Sequence, residues 1–355
     1  MAYGICIVPV FYVVLSHLFF RHMDSVRPSV SVVMCTYNGA PYIPEQLDSI
    51  LRQTYPIKEI IIQDDQSTDS TMEVLRAYAE KDERIRVYAV DERRGINHNF
   101  ITAIDKARGD LIAWSDQDDV WLPDKVEKLV DLLVREDLWI SFHLTKGFVG
   151  ECPQNDDDYD RRVPNFGLER AIFIGPVSGH TMLFRKEVHR MILEKVPKES
   201  LDLVCSAFCY DSILAIVANA YGKVGVVPEL LDLHRRVPTS VTKMFGAKKF
   251  RRSGWNAVRQ IVRCLNPIRR RRNRPHVLFR MNRMLLLLDC FPDATQTGRV
   301  RRLIGAYKNP GRFFLFPREL IRNRDRILYS KEEKDWIAKV RALLFEITYQ
   351  DYWMK

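Results

Sequence analysis

The sequence predicts an α/β domain on a mainly parallel sheet, and three observations carry that prediction. Short apolar, β-branched runs recur between residues 29 and 115, segments with helical apolar spacing separate them, and polar, acidic residues gather just past the runs. A length of 355 residues allows one large domain or two modest ones, and 46% hydrophobic with 28% charged residues is the make-up of a chain that buries a core. Disorder over the whole length and low-complexity architectures are thereby excluded.

Residues 1–28 form a hydrophobic N-terminal segment. Gly4 to Phe20 carries no Lys, Arg, Asp or Glu. As a helix it would reach about 26 Å, a little short of the ~30 Å hydrocarbon core. It lacks the basic start and small-residue cleavage site of a signal peptide. The expectation is therefore an anchor or a loosely docked segment, with Pro9 and His17 interrupting it. Arg21 and Arg27 on its C-terminal side would leave the remainder cytoplasmic.

From Ser29 the strands and helices alternate. Val30 to Cys35 reads as the first strand, followed by the turn pair Asn38-Gly39. Ile43, Leu47, Ile50 and Leu51 share one helical face. Glu59 to Ile62 is the second strand and runs into Gln63-Asp64-Asp65, after which Thr68 or Asp69 is placed to cap a helix. Ile85 to Val90 is the third strand, Asn97 to Ala107 a helix and Leu111 to Trp114 the fourth strand.

In parallel α/β sheets, ligands bind beyond the carboxyl ends of the strands. Three such ends carry unusual polar residues: Thr36-Tyr37-Asn38, Asp64-Asp65 and Ser115-Asp116-Gln117-Asp118-Asp119. Carboxylates converging on one crevice repel one another without a cation, and Mg2+ or Mn2+ held together with substrate phosphates meets that need. Neither GxGxxG nor GxxxxGK[ST] occurs, so no dinucleotide fingerprint or P-loop handles the phosphates. The seven scattered cysteines include no CxxC pair and read as reduced thiols of a cytosolic domain.

The stretches SVVMCTYN (31–38), QDDQSTDST (63–71) and SDQDDVWLPDK (115–125) resemble those of family 2 glycosyltransferases, in the rhamnosyltransferase-like branch. The resemblance covers about residues 29–242 and implies a GT-A fold. It also implies transfer of a sugar from a nucleotide-diphosphate donor to an acceptor hydroxyl, with inversion. Carried onto this chain, it puts the donor's base and ribose at Thr36, Tyr37, Asn38 and Asp65, and the DxD positions at Asp116 (donor sugar or ribose) and Asp118 (metal). Gly95 to Phe100, with Gly95 and Asn99, matches the family's donor-side helix start. Arg93-Arg94 stands where relatives often have Asn, and an arginine could supply that diphosphate contact by charge.

Beyond residue 140, Gln154 to Arg162 reads as an acidic surface loop. Val177 to His180 followed by Met182 to Arg185 resembles the acceptor-side turn and strand of the family, placing Gly179 and His180 there; a plain structural turn is the other reading of His180. Asp211 heads an apolar helix expected over Ser212 to Tyr221. By composition it is an N-cap; by resemblance it is the catalytic base. Val224 to Pro228 reads as a short strand. After it, His234-Arg235-Arg236-Val237 stands where relatives often show Tyr-Arg-x-His, so a diphosphate-closing loop with Arg235 or Arg236 is expected, against a solvated basic loop.

Charge divides the chain. Residues 1–240 carry 27 basic and 36 acidic side chains, a net of −9, whereas 241–355 carry 28 and 9, a net of +19. The stretch 243–355 is thus read as a basic helical C-terminal region. Its RRRRNR run (269–274) beside the apolar Met284–Leu288, with aromatics at Phe313–Phe316 and Trp336, favours an anionic membrane surface over solvated helices. No nucleic-acid module is recognisable. The reading is an inverting, metal-dependent transferase of bacterial surface polysaccharide at the cytoplasmic face of the inner membrane, acting on a glycan or lipid-linked glycan. A sugar nucleotidyltransferase and a non-catalytic membrane- or nucleic-acid-binding protein are its rivals.

Overall fold

The computed structural model describes residues 27–153, 166–171, 177–237 and 267–308, together with Tyr159, Arg161, Val163 and Arg322. The Gly4–Phe20 segment, most of the 154–162 loop, Phe313–Phe316 and Trp336 lie outside these residues. Within them, one sheet runs in the order β3-β2-β1-β4-β7-β6-β8-β5. Its strands are β1 (Val30–Thr36), β2 (Ile57–Asp64), β3 (Ile85–Ala89), β4 (Leu111–Ser115), β5 (Val120–Trp121), β6 (Ile140–Phe148), β7 (Met182–Arg185) and β8 (Val224–Arg235). The first four are mutually parallel, as the alternation of strand and helix requires. β7 runs antiparallel to both β4 and β6, β6 and β8 are parallel, and β5 caps the edge antiparallel to β8.

The apolar strands are buried on both faces, and their period of two assigns each side chain to a layer. Val30, Val32 and Met34 of β1 face one cluster, with Ile60 and Ile62 of β2, while Val33 and Ile61 face the other. The first layer is covered by α1 (Ile43–Leu51), α2 (Thr71–Ala79) and α4 (Lys125–Arg135). The second is covered by α3 (Gly95–Lys106), α5 (Leu168–Ala171), α6 (Lys186–Lys195), α7 (Lys198–Cys205) and α8 (Tyr210–Ala220).

Two boundaries differ from the sequence reading. The α3 helix starts at Gly95, two residues early, because Asp65 accepts its first N–H groups and Gly95 adopts φ +73°, which only glycine takes cheaply. The strand expected to stop at Pro228 continues to Arg235. Pro228 and Glu229 fall between the pairs His143–Val227 and Leu144–Leu230, so a bulge accommodates the residue that has no N–H to give.

The C-terminal region divides from the rest in sequence, but its described residues 267–308 do not divide from it in packing. Helices α9 (Pro267–Asp289) and α10 (Gly298–Lys308) pack on α7 and α5. Met281, Met284, Leu287, Leu288, Val300 and Leu303 are fully buried in the second cluster. The apolar run Met284–Leu288 therefore faces protein at these positions, not lipid. Replacing Leu287 by Ala should cost about 2–5 kcal/mol of stability in urea unfolding. A loss under ~1 kcal/mol would mean that α9 is not part of the core.

Candidate active site

The strand order turns around at β1, which has β2 on one side and β4 on the other, and the polar residues of the sequence line the crevice at these carboxyl ends. On the donor-expected side, Thr36 Oγ1 donates to Asp64 Oδ1 at 2.8 Å. Asn38 takes φ +49° and accepts the Thr68 N–H on Oδ1 at 2.8 Å. Gln117 grips the backbone of Tyr37 twice, accepting its N–H at 2.9 Å and donating to its carbonyl at 3.1 Å. That grip needs Gly39, since a Cβ there would lie 2.4 Å from Gln117 Oε1.

Asp65 is buried and spends both oxygens on α3, accepting the N–H groups of Arg94 at 2.8 Å and Gly95 at 3.0 Å. The Arg93 guanidinium lies 3.8 Å from Asp65 and 3.8 Å over the Tyr37 ring. Asn99, expected on the donor side, is buried, accepting from Gln63 Nε2 at 2.7 Å and donating to the Gln63 carbonyl, so it braces α3 against β2.

The acidic turn after β4 meets β8 and the turn at Gly179–Thr181. Asp119 is fully buried; its Oδ1 lies 2.8 Å from His234 Nδ1 and accepts the Arg235 N–H, while Oδ2 has no hydrogen-bond partner among the described residues. His180 Nδ1 stands 3.5 Å from that oxygen and 3.0 Å from Asp232 Oδ2, and its ring stacks on His234 at 4.5 Å. Lys125, also fully buried, donates to Asp232 at 3.0 Å and to the His180 carbonyl at 2.7 Å.

Charge in this cluster is finely balanced. Burial alone would lower His180, but Asp232 and Asp119 together outweigh it and hold its pKa at about 10. Burial pushes Asp118 up to about 7, with Asp119 and Asp116 adding to the rise. Asp116 is raised for the same reasons, burial first and Asp119 next. Ligand atoms of Asp119, His180 and His234 lie within 4.8 Å of one another, and Asp119 Oδ2, free of hydrogen bonds among the described residues, leaves a lone pair with which this group could hold a cation. The metal-capable group thus centres on Asp119, one residue past the Asp118 expected from the sequence, with Asp118 beside it.

Across the crevice, Asp211 is the second residue of α8, and Cys209, not Asp211, holds the N-cap place. Its Oδ2 accepts the Gly179 N–H at 2.9 Å and its Oδ1 the N–H of Ser212. Gly179 packs on the Trp114 edge so closely that a Cβ would lie 2.7 Å from Nε1. Burial raises Asp211 to about 6 despite the two N–H donors.

Arg235 corrects the expectation of a closing loop. It lies buried in β8, pairs with Glu45, donates to the carbonyls of Asp118 and Gly150, and packs over Phe148. Arg236, just beyond β8, packs beside Gly147. Sequence reasoning gave no role to Lys125 or Asp232, and placed Gln117 and Asp119 in the polar turn without a part of their own. Gln117, Asp119 and Lys125 lie inside the quoted SDQDDVWLPDK stretch; Asp232 offered no signal beyond its place before His234.

Residues 31–193 match the model of glycosyl transferase family 2. The chain therefore carries a family 2 glycosyl transferase domain. It is 38% identical over 120 residues to TuaG of Bacillus subtilis, named as a teichuronic acid biosynthesis glycosyltransferase, a match covering 34% of this chain and 48% of that one. A Nostoc glycosyltransferase of uncharacterized activity is 32% identical over 218 residues, covering 58% and 64%. The glucosyltransferase WfgD of Escherichia coli, named for UDP-Glc and an α-D-GlcNAc-diphosphoundecaprenol acceptor, is 30% identical over 109 residues, covering 31% and 42%. The matched segments span about half the length of the curated relatives TuaG and its like. The GT-A fold is shared with a mannosyltransferase of Pyrobaculum calidifontis, solved with GDP-Man and Mn2+, at a TM-score of 0.51 and 21% identity over 93% of this chain and 86% of that one.

The Lys125–Asp232 pair joins the family 2 domain to β8 as a buried ion pair whose partners cannot be separated cheaply. Lys125→Met should destabilise the fold by about 3–5 kcal/mol, because Asp232 would be left buried without its cation. Chemical unfolding measures this; a change below ~1 kcal/mol would show that water reaches Asp232.

Proposed function

We propose that the protein is an inverting, metal-dependent glycosyltransferase of bacterial surface polysaccharide synthesis, with Asp211 as its base. The observation that carries the reading is the placement of Asp211. It is a carboxyl held by two backbone N–H groups on the crevice wall, within electrostatic reach of Asp116, with a pKa near neutrality. The acceptor hydroxyl gives its proton to Asp211 as its oxygen bonds to the sugar's anomeric carbon, and the bond from that carbon to the diphosphate oxygen breaks on the opposite face. No covalent enzyme intermediate is needed, which accounts for inversion.

The chain's own residues divide the remaining work. Tyr37, backed by Arg93, offers a flat face for the base of the donor; Asp65 and Asp116 lie where ribose and sugar hydroxyls are expected. Asp119, His180 and His234, with Asp118 beside them, would hold Mg2+ or Mn2+. When bound, that ion supplies positive charge to the departing diphosphate. In its absence the His180 imidazolium balances the carboxylates, so metal uptake should release a proton.

The name of WfgD supports a nucleotide-sugar donor and a lipid-linked glycan acceptor, and that of TuaG supports surface polysaccharide synthesis. The +19 charge of residues 241–355 supports work at an anionic membrane surface on the cytoplasmic side. Among the described residues no single helix is long and apolar enough to cross a membrane; the pair α7–α8 is so only when its two helices, bent by 110°, are taken together, and its apolar residues belong largely to the core.

A screen of UDP-, dTDP- and GDP-sugars with Mn2+ or Mg2+, reading nucleoside diphosphate release, tests the reading. Diphosphate release from a nucleoside triphosphate and a sugar phosphate would instead mark a nucleotidyltransferase. Asp211→Asn should lower turnover ~10²–10⁴-fold with donor binding retained. The wild-type rate should fall as pH drops through about 6, because the base must be ionised. Turnover within a few-fold of wild type would remove Asp211 from the mechanism. Chelation, or His234→Ala, should abolish turnover and be reversed by added metal only in the first case.

A further inference from the structure

The base helix is held by residues that no comparison assigns. Cys209, at the N-cap of α8, makes no side-chain capping hydrogen bond, yet the first N–H of a helix needs an acceptor. That acceptor comes from across the fold. The Tyr210 N–H donates to Asn97 Oδ1 at 2.9 Å, and Asn97 Nδ2 donates to the carbonyls of Cys205 and Phe208, each at 3.1 Å. One amide thus ties the end of α7 to the start of α8.

The side chain of Tyr210 is gripped independently. Its hydroxyl lies 2.7 Å from His189 Nδ1, and His189 Nε2 lies 2.9 Å from Asp105 Oδ1. Tyr210 and His189 are both fully buried. Asn97 and Asp105 belong to the same helix, α3, whose own first N–H groups are held by Asp65. A single rigid element therefore spans from the donor-side carboxylate to the residue next to Asp211.

We propose that Asn97, seconded by the Asp105–His189–Tyr210 chain, is a positioning residue that fixes Asp211 at a set place relative to the donor pocket. The proposal rests on the reading of Asp211 as the base. Misplacing a reacting group by about 1 Å can cost on the order of 10² in rate.

The test uses the full chain and two readouts. Asn97→Ala should lower kcat ~10–100-fold with the donor found in the screen, while the KM for that donor stays within about twofold. Without any ligand, hydrogen exchange of the amides of residues 210–213 should quicken while the β1 and β2 amides stay protected. His189→Phe, which frees the Tyr210 hydroxyl but keeps the bulk, should show the same pattern more weakly. His98→Ala removes only the neighbouring exposed contact with Asp202 and should leave kcat within twofold. If Asn97→Ala keeps full kcat while Asp211→Asn is inactive, the positioning role is wrong and the base reading stands. If Asp211→Asn is itself fully active, the base reading falls and the positioning role falls with it. If Asn97→Ala leaves exchange at 210–213 unchanged, Asn97 does not hold the helix, whatever its effect on rate.

Discussion

Repulsion among carboxylates is the constraint around which this molecule is arranged. Asp116, Asp118, Asp119 and Asp232 share one crevice, and two like charges 4 Å apart cost roughly 4 kcal/mol at an effective dielectric near 20. The fold meets that cost with Lys125 against Asp232, His180 between Asp232 and Asp119, and His234 against Asp119. These compensating groups come from α4, the Gly179–Thr181 turn and β8, elements far apart in the chain. The antiparallel β7 and the long β8 exist to bring them there: without β8 reaching Arg235, neither His234 nor Asp232 would face the acidic turn. The residual deficit, an orphaned oxygen on Asp119 and raised Asp118 and Asp116, is what a divalent cation would correct.

Local signals made most of the fold legible. The strands β1 to β4 are continuous apolar runs because both faces are covered, and their polar ends announce the crevice. Asp211, Thr36, Tyr37, Asn38 and Asp65 all fall where the motifs put them, at strand ends or at the head of α8. What stayed hidden depends on long-range pairing. Nothing near Asp232 reveals that Lys125, 107 positions away, neutralises it. Asn99 carries the same polar amide whether it meets a ligand or Gln63, so its sequence position alone could not tell bracing from binding. Arg235 was expected in a loop because Pro228 looks like a strand terminator, and the bulge that absorbs it is a property of the β6 partner.

The basic C-terminal region shows how composition can mislead about packing while remaining right about charge. Met284 to Leu288 looks like a membrane-facing stripe beside arginines, yet its buried members complete the second layer of the core. Arg280 goes further: its guanidinium donates to the Ala207 carbonyl at 2.7 Å and lies 4.4 Å over the Phe208 ring, on the segment leading into α8. The region that carries the positive charge is therefore also mechanically joined to the wall of the active site.

Asp211, the base in the proposed reading, sits at the point where two opposing effects meet. At the very cap of α8 a carboxylate would take helix N–H groups and feel the full positive end of the dipole, worth typically 0.3–1 kcal/mol, and its pKa would fall. Two positions past the cap, it takes the N–H of Ser212 and that of Gly179, but burial overrides both and the pKa settles near 6. A base near 6 takes a proton more readily than one near 4 and is still ionised at neutral pH, close to the optimum for general-base work. Cys209 makes no side-chain cap bond, and the first N–H of α8, that of Tyr210, is taken by Asn97 from α3, so Asp211 serves only the N–H of Ser212 within its own helix.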